Sequence, residues 1–421
     1  MNQSKKLTAV KIVHTLIWLF FVAAIFYILY SGISNKITTY TWIAIGLIIA
    51  EGVVLVLFKM FCPLTLIARK YSESEKDNFD IFLPDWLARH NKIIFTTIYL
   101  VGVIIVLIRV IGQPSFAQTI SFEYEKLPVN SGFKMDGYWV WGGSMIEVDS
   151  EYHLFVSRWP KTGAFPEGYR QNSEIVRATS TSPLGPFTFQ EVVIGERDSL
   201  FWDSNMAHNP TIHRIGNKYV LFYIGSDFTS RQENSNSLLR RIGFAESESI
   251  SGPWKRSDVP LIDAESNNPA VLAEEGKVKM IFRNTELRVI MSEAVSYKGP
   301  YSIVNENVWP DARLEDFYLF KSQGSYHFIC EDNVGSVSGH ERWGVHLYSA
   351  DGINNWMKYD PVIVYNHEIE FENDSVLHCV RRERPQLLIE NREITYLVTA
   401  VYDGKNSWCQ PVKLKQPVQV E

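Results

Sequence analysis

Five short polar stretches recur along the chain, each opening an apolar strand: Asp136-Gly137-Tyr138-Trp139, Asn209-Pro210-Thr211-Ile212, Asn268-Pro269-Ala270-Val271, Glu315-Asp316-Phe317-Tyr318 and Glu383-Arg384-Pro385-Gln386. If such strands converge, their leading side chains ring one mouth. Asp136, Glu315, Asp316 and Glu383 carry carboxyl groups there. Cleavage of a glycosidic bond needs two carboxyl groups flanking it, one giving a proton and one acting as base or nucleophile. Glu331 and Asp332 add further carboxylates. Neighbours on a strand face opposite sides, so Glu315 and Asp316 reach one pocket only where the strand is bulged. The alternative for each acid is structural: a carboxylate held by backbone N–H groups or by an arginine.

Around these candidates stand residues suited to holding a sugar. Trp139 and Trp141 flank the first stretch; one is expected to stack on a sugar ring and the other to pack into the core. Arg283 and Arg384, with Arg158, offer rigid guanidinium forks to hydroxyl or carboxylate groups, or else ion pairs within the scaffold. Asp227, at a strand end, has the same two readings. Asn209, Asn268, Asp332 and His208 complete the candidate substrate contacts. Asp203, beside Trp202 on the loop leading to His208, is expected within reach of a bound sugar. A buried structural role is the alternative for His208 and His346.

The elements that must position these residues are repeats. A strand, a tight polar turn and a second strand recur from Met145, Thr211, Ala270, Tyr318 and Gln386. A second repeat, Ser-x-x-Gly-Pro-aromatic, runs over Ser182–Phe187, Ser249–Trp254 and Ser296–Tyr301, with a degenerate copy at Ala350–Trp356. Glycine and proline supply its turn, and the aromatic starts the outermost strand of each unit. Four strands repeated five times is the arithmetic of an all-β, five-bladed β-propeller, expected over residues 120–421. Phe122–Leu127 is expected to supply an outer strand closing the ring with the last blade.

Four segments, His208-Asn209-Pro210-Thr211-Ile212, Leu314–Leu319, Trp343–Leu347 with Asp351-Gly352-Ile353, and Glu383–Leu387, resemble the five-bladed propeller glycoside hydrolases. That superfamily includes arabinanases, xylosidases, invertases and mannoside phosphorylases, and the segments are most similar to a bacterial branch of it. The resemblance implies an aspartate base at Asp136. It also implies an aspartate at the place of Asn209 and a glutamate acid at the place of Asn268, and both positions depart from it. In mannoside phosphorylases a Glu-Asp pair opening a blade supplies the acid. Glu315-Asp316 resembles that pair, with Glu383 the next candidate. A channel-floor histidine near His346 would help hold a metal, commonly calcium; no other cofactor is implied. The activity implied is that of a glycoside hydrolase acting on an oligosaccharide or polysaccharide. The competing reading is a non-catalytic carbohydrate-binding or sensory propeller.

The chain of 421 residues has a different character at its start. Apolar runs at 12–30, 40–61 and 93–111 are each near the roughly 20 residues that cross a bilayer, so residues 1–114 are read as three transmembrane helices ahead of the propeller. Lys5, Lys6 and Lys11 precede the first run. Lys59, Arg69, Lys70, Lys76, Arg89 and Lys92 lie between the second and third, against Lys36 alone in the other loop. Positive charge stays inside, so the expectation is a multi-pass protein of the cell membrane with a cytoplasmic N-terminus and an extracytoplasmic propeller. A linker is expected around Gly112–Gln118. Glu51, in mid-span, is either a functional group facing the bundle or a protonated carboxyl bonded to a neighbouring helix. Cys62-Pro63-Leu64-Thr65 resembles a motif of small bacterial membrane proteins and implies no activity. Cys379 and Cys409 could pair, or stay as buried thiols, and no zinc spacing is present. A net charge of −6 excludes nucleic acid as the main partner. Carbohydrate and the lipid bilayer are the partners expected.

Overall fold

The computed structural model of the chain describes residues 3–34, 36–59, 61–72, 74, 79–111, 119–232 and 235–421, with the backbone alone at 110 and 111. It divides into two compact units, 1–115 and 116–421. Lys76 and the linker expected at Gly112–Gln118 lie outside the described residues.

The first unit contains α1 (Gln3–Ile33), α2 (Thr39–Leu57), α3 (Pro63–Ala68) and α4 (Asp85–Ile111). Among the described residues three of these, α1, α2 and α4, are long and apolar enough to cross a membrane. Their apolar residues are largely exposed, and a small core of Ile28, Ala44, Ile45 and Val106 joins them. Small residues set the closest approach: a Cβ on Gly102 would lie 3.1 Å from the backbone nitrogen of Leu29.

The second unit is a five-bladed β-propeller. Blade one is β1 (Tyr138–Val148), β2 (Glu151–Pro160), β3 (Glu174–Ser180) and β4 (Thr188–Ile194). Blade two is β5 (Met206–Ile215), β6 (Lys218–Ser226), β7 (Arg241–Ser247) and β8 (Lys255–Arg256). Blade three is β9 (Ser266–Glu274), β10 (Lys277–Asn284), β11 (Val289–Ala294) and β12 (Ser302–Asn305). Blade four is β13 (Leu314–Ser322), β14 (Ser325–Asp332), β15 (Trp343–Ser349) and β16 (Met357–Tyr365). A small hairpin, β17 (Glu368–Glu370) and β18 (Val376–His378), precedes blade five, which is β19 (Arg381–Glu390), β20 (Glu393–Tyr402) and β21 (Ser407–Gln419). All pairings within blades are antiparallel.

The segment expected to close the ring does so. Tyr124 bridges Leu414 antiparallel. The Glu125 amide donates to the Lys413 carbonyl at 2.9 Å, and the Lys415 amide to the Glu123 carbonyl at 2.8 Å. The Ser-x-x-Gly-Pro turns join the third and fourth strands of blades one to three, with Gly185, Gly252 and Gly299 at φ of 82°, 88° and 76°. Strand alternation sends successive side chains to opposite faces of a blade, so each blade feeds two interfaces. Phe155 packs toward blade two, while Leu154 and Val156 pack toward blade five. Each interface between neighbouring blades has its own apolar core. Each buried Leu, Val or Phe there contributes about 1.5–3 kcal/mol, which is what holds the ring together. The four cysteines are free thiols, and Cys409 sits beneath Gly143 in the interface of blades one and five.

Candidate functional site

The innermost strand of every blade is broken near its start by a β-bulge, and these bulges define the ring. Register shifts fall between Trp141 and Ser144, His208 and Thr211, Glu315 and Tyr318, and Glu383 and Gln386, with the corresponding shift in blade three opposite Asn268. The bulged residues are Gly142, Asn209, Asn268, Asp316 and Arg384, with φ of 60°, 51°, 54°, 59° and 55°. Left-handed backbone favours Gly, Asn and Asp, so four of the five types suit their conformation.

These five residues meet. Asn209 Nδ2 donates to Asn268 Oδ1 at 2.8 Å, and Arg384 Nη2 donates to the Asn209 carbonyl at 3.1 Å. Arg384 Nη1 lies 3.8 Å from Asp316 Oδ1. A Cβ on Gly142 would fall 2.7 Å from Asn209 Oδ1. The place expected for Asp136 is therefore held by Gly142. Asp136 is exposed in the turn ahead of β1, outside the ring of bulges. The phase differs because blade one marks its bulge with two glycines instead of a polar residue and proline.

The bulge at Asp316 meets the condition for Glu315 and Asp316 to act together. Around them gathers a cluster of carboxylates and guanidiniums from blades three, four and five. Glu315 pairs with Arg283 at 2.6 Å and accepts a hydrogen bond from Asn333. Arg342 reaches Glu331 at 3.1 Å and Glu383 at 2.8 Å, and Arg381 Nε donates to Glu383 at 2.5 Å. Asp316, Glu331 and Glu383 are all buried, with carboxylate oxygens within 4.8 Å of one another. Like charges so close do not all ionise. Burial, with the charges of Glu315 and Glu383, pushes Asp316 up to about 7 against the pull of Arg384 and Arg283. Burial and the same neighbours hold Glu331 well above the usual carboxylate range. Burial also raises Glu383, opposed by Arg381 and Arg342. The cluster therefore keeps at least one exchangeable proton near neutral pH.

Beside it stands an aromatic wall. Trp139 and Trp141 both contact Phe165, at centroid distances of 5.2 and 5.1 Å, and Phe165 stacks on Tyr402 at 4.1 Å. Trp141 packs into a small core with Trp159 and Ala400 while Trp139 is part-buried against it, so one of the two faces the core as expected, although not by strand alternation, since residues two apart on a strand share a face. The Arg381 guanidinium lies 5.9 Å from the rings of both Trp141 and Phe165, joining the wall to the carboxylates.

Other expected contacts are occupied elsewhere. Asp203 is buried beneath blade two, bonded to Arg197 at 3.0 Å and to the Tyr223 hydroxyl at 2.7 Å, and Trp202 covers Gly225 and Gly243 there. Asp227 pairs with Arg241 and accepts from the hydroxyls and amides of Ser230 and Thr229; those hydrogen bonds outweigh burial and lower its pKa. Asp332 is spent on the amides of Ser336, Val337 and Ser338. Arg158 pairs with Glu174 at 2.7 Å. His208 stacks on Tyr169 at 4.4 Å and bonds Ser173; burial, then Arg384 and Arg240, lower it to about 3, so it is neutral. His346 lies on β15 among Phe320, Tyr359 and Phe122, with Nε2 bonded to His327 at 2.9 Å. Aromatic walls offer calcium no oxygen ligands, so the residues at His346 do not fit that ion. In the oxygen-rich trio of Asp316, Glu331 and Glu383, Arg342 already pairs with Glu331 and Glu383, and Arg381 with Glu383.

No protein-family model and no curated protein sequence matches the chain. Solved structures do. The family 117 glycoside hydrolase Zg3597 of the marine bacterium Zobellia galactanivorans is similar with a TM-score of 0.51 at 14% identity, over 70% of this chain and 90% of its own. The catalytic domain of the Coprinopsis cinerea GH62 α-L-arabinofuranosidase gives 0.50 at 11% identity, over 71% and 99%. A further glycoside hydrolase gives 0.52 at 12%, over 72% and 94%. The second unit thus has the five-bladed β-propeller fold of these glycoside hydrolases, preceded in the chain by three long apolar helices.

Proposed function

We propose that the propeller recognises carbohydrate and that sugar binds where the aromatic wall of blade one meets the charged cluster of blades four and five. The observation that carries this reading is Arg381, which pairs with Glu383 and lies 5.9 Å from the rings of Trp141 and Phe165. A sugar ring offers an apolar face to the aromatics and hydroxyls to guanidinium donors and carboxylate acceptors. The membrane unit then serves as the anchor. The flanking lysines and arginines favour a cytoplasmic N-terminus and an extracytoplasmic propeller, acting on glycans outside the cytoplasm.

Recognition without cleavage is preferred over hydrolysis. Gly142, Asn209 and Asn268 leave three blades without an acid at the ring. Of the acids that remain, Asp316, Glu331 and Glu383 bring carboxylate oxygens within 4.8 Å of one another, a crowded cluster and not an opposed pair flanking a bond. One observation favours the second reading: Asp316, held up at about 7, keeps a proton that a glycosidic oxygen could take. Glycan-array binding by the full chain in lipid nanodiscs, with mass analysis of each bound glycan, separates the two. Binding with intact glycan supports recognition. Products that vanish with Asp316→Asn move the assignment to hydrolysis, and binding to no glycan overturns both.

A further inference from the structure

One arginine of the propeller has no acid to answer its charge. Arg382, the second residue of β19, is 2% exposed. Strand alternation turns it away from Arg381 and the aromatic wall and toward the hairpin of β17 and β18. Its Nη1 donates to the Asn366 and Glu368 carbonyls at 3.2 and 3.0 Å, and its Nε to Thr399 Oγ1 at 3.2 Å. Among the described residues Nη2 has no hydrogen-bond partner, and no carboxylate pairs with the guanidinium. The rings of Tyr365 and Tyr124 lie 5.2 and 5.8 Å from it. Burial holds both phenols, and the nearby Cys379 thiol, above their ordinary values, so none of the three is negative at neutral pH. A guanidinium taken out of water without a counter-charge is costly, and an anion relieves that cost.

Arg382 lines a cavity of about 360 Å³, within the range of small-molecule sites, bounded by the closing segment Phe122–Leu127, the end of β16 and β17. Tyr365, also on its wall, is 2% exposed, and its hydroxyl is a second unused donor among the described residues. Phe122, Leu127, Val364 and Ile369 make part of the wall apolar. Four glutamates stand exposed around it. Glu123 and Glu125 are answered by Lys415 and Lys413 at 3.5 and 3.0 Å, while Glu368 and Glu370 carry surplus negative charge. The buried guanidinium calls for one negative group, the acidic surroundings work against a second, and the apolar wall suits a hydrocarbon tail.

We propose that this seam of blades four and five binds a small organic monocarboxylate. Arg382 Nη2 and the Tyr365 hydroxyl take the carboxylate, and Phe122, Leu127, Val364 and Ile369 cover the tail. The site is separate from the sugar site, because Arg381 and Arg382 leave β19 on opposite faces.

The test is calorimetric titration of the full chain in nanodiscs, with empty nanodiscs as the blank. The probes are sodium hexanoate, its neutral isostere hexanamide, and inorganic phosphate. Hexanoate should bind at least about tenfold more tightly than either, because the amide lacks the charge-assisted hydrogen bond and the dianion meets the glutamates. Arg382→Met should weaken hexanoate binding at least about tenfold. If that variant fails to fold, the comparison of hexanoate with hexanamide on the wild-type chain decides. No hexanoate binding, equal affinity for hexanoate and hexanamide, phosphate bound as tightly as hexanoate, or hexanoate binding unchanged in Arg382→Met overturns the proposal.

Discussion

Replacing Asp316 by asparagine keeps the shape of the side chain and removes its titration. In the folded protein burial and neighbouring carboxylates raise Asp316 from 3.8 to about 7. Between those values the folded chain holds a proton that the unfolded chain has lost. Stability from this group is therefore fully present below about pH 4 and falls as pH rises toward 7. The slope is up to about 1.4 kcal/mol per pH unit, so the loss across the window reaches about 4 kcal/mol. His208, lowered to about 3 by burial and by Arg384 and Arg240, works in the opposite sense but is common to both proteins and cancels in the comparison. Glu331 and Glu383 ionise more readily once Asp316 is neutral, which reinforces the effect. Thermal unfolding of wild type and Asp316→Asn, followed by tryptophan fluorescence from pH 5 to 8, reads it out. The variant's Tm should exceed that of wild type by a margin that widens by a few degrees as pH rises. Two Tm curves running parallel would refute the shared-proton reasoning.

Gly142→Ala should destabilise by about 2 kcal/mol or more, because a left-handed backbone at 60° is compounded by a Cβ 2.7 Å from Asn209 Oδ1. Gly137→Ala, at 78° with nothing within 4 Å, should cost about 1 kcal/mol, and equal losses in denaturation would remove the ring contact. Glu383→Gln strips Arg342 and Arg381 of their shared partner, and chemical denaturation should show a loss of about 2–3 kcal/mol, below the deeply buried limit because both arginines are part-exposed. Reporter fusions following Ile120 should be active outside the cytoplasm and those at Ser74 inside; the reverse pattern would invert the orientation.

The propeller was legible because its repeats are written in backbone chemistry. Ser-x-x-Gly-Pro demands one turn wherever it occurs, and alternating apolar strands demand two packed faces. The phase of blade one was not, since a bulge is defined by a left-handed residue and not by a polar one. Gly142 shares that conformational freedom with Asn209, Asn268 and Asp316, and this common property was the available signal. Asp227 and Asp332 looked like ligand contacts, yet each is followed within a few residues by the serines whose amides it holds, a local turn pattern readable from spacing. Arg342 and Arg381 had no such mark. They reach the cluster from the entry of β15 and the first residue of β19, a convergence that only closure of the ring creates.

Calorimetric titration of an array-identified glycan into the full chain and three variants tests the proposed sugar site most directly. Trp139→Ala and Arg381→Ala should each weaken binding at least about tenfold, and Lys415→Ala, on the closing strand pair of blade five, should leave it within about twofold. Equal affinity in all four proteins would contradict the placement of the carbohydrate site.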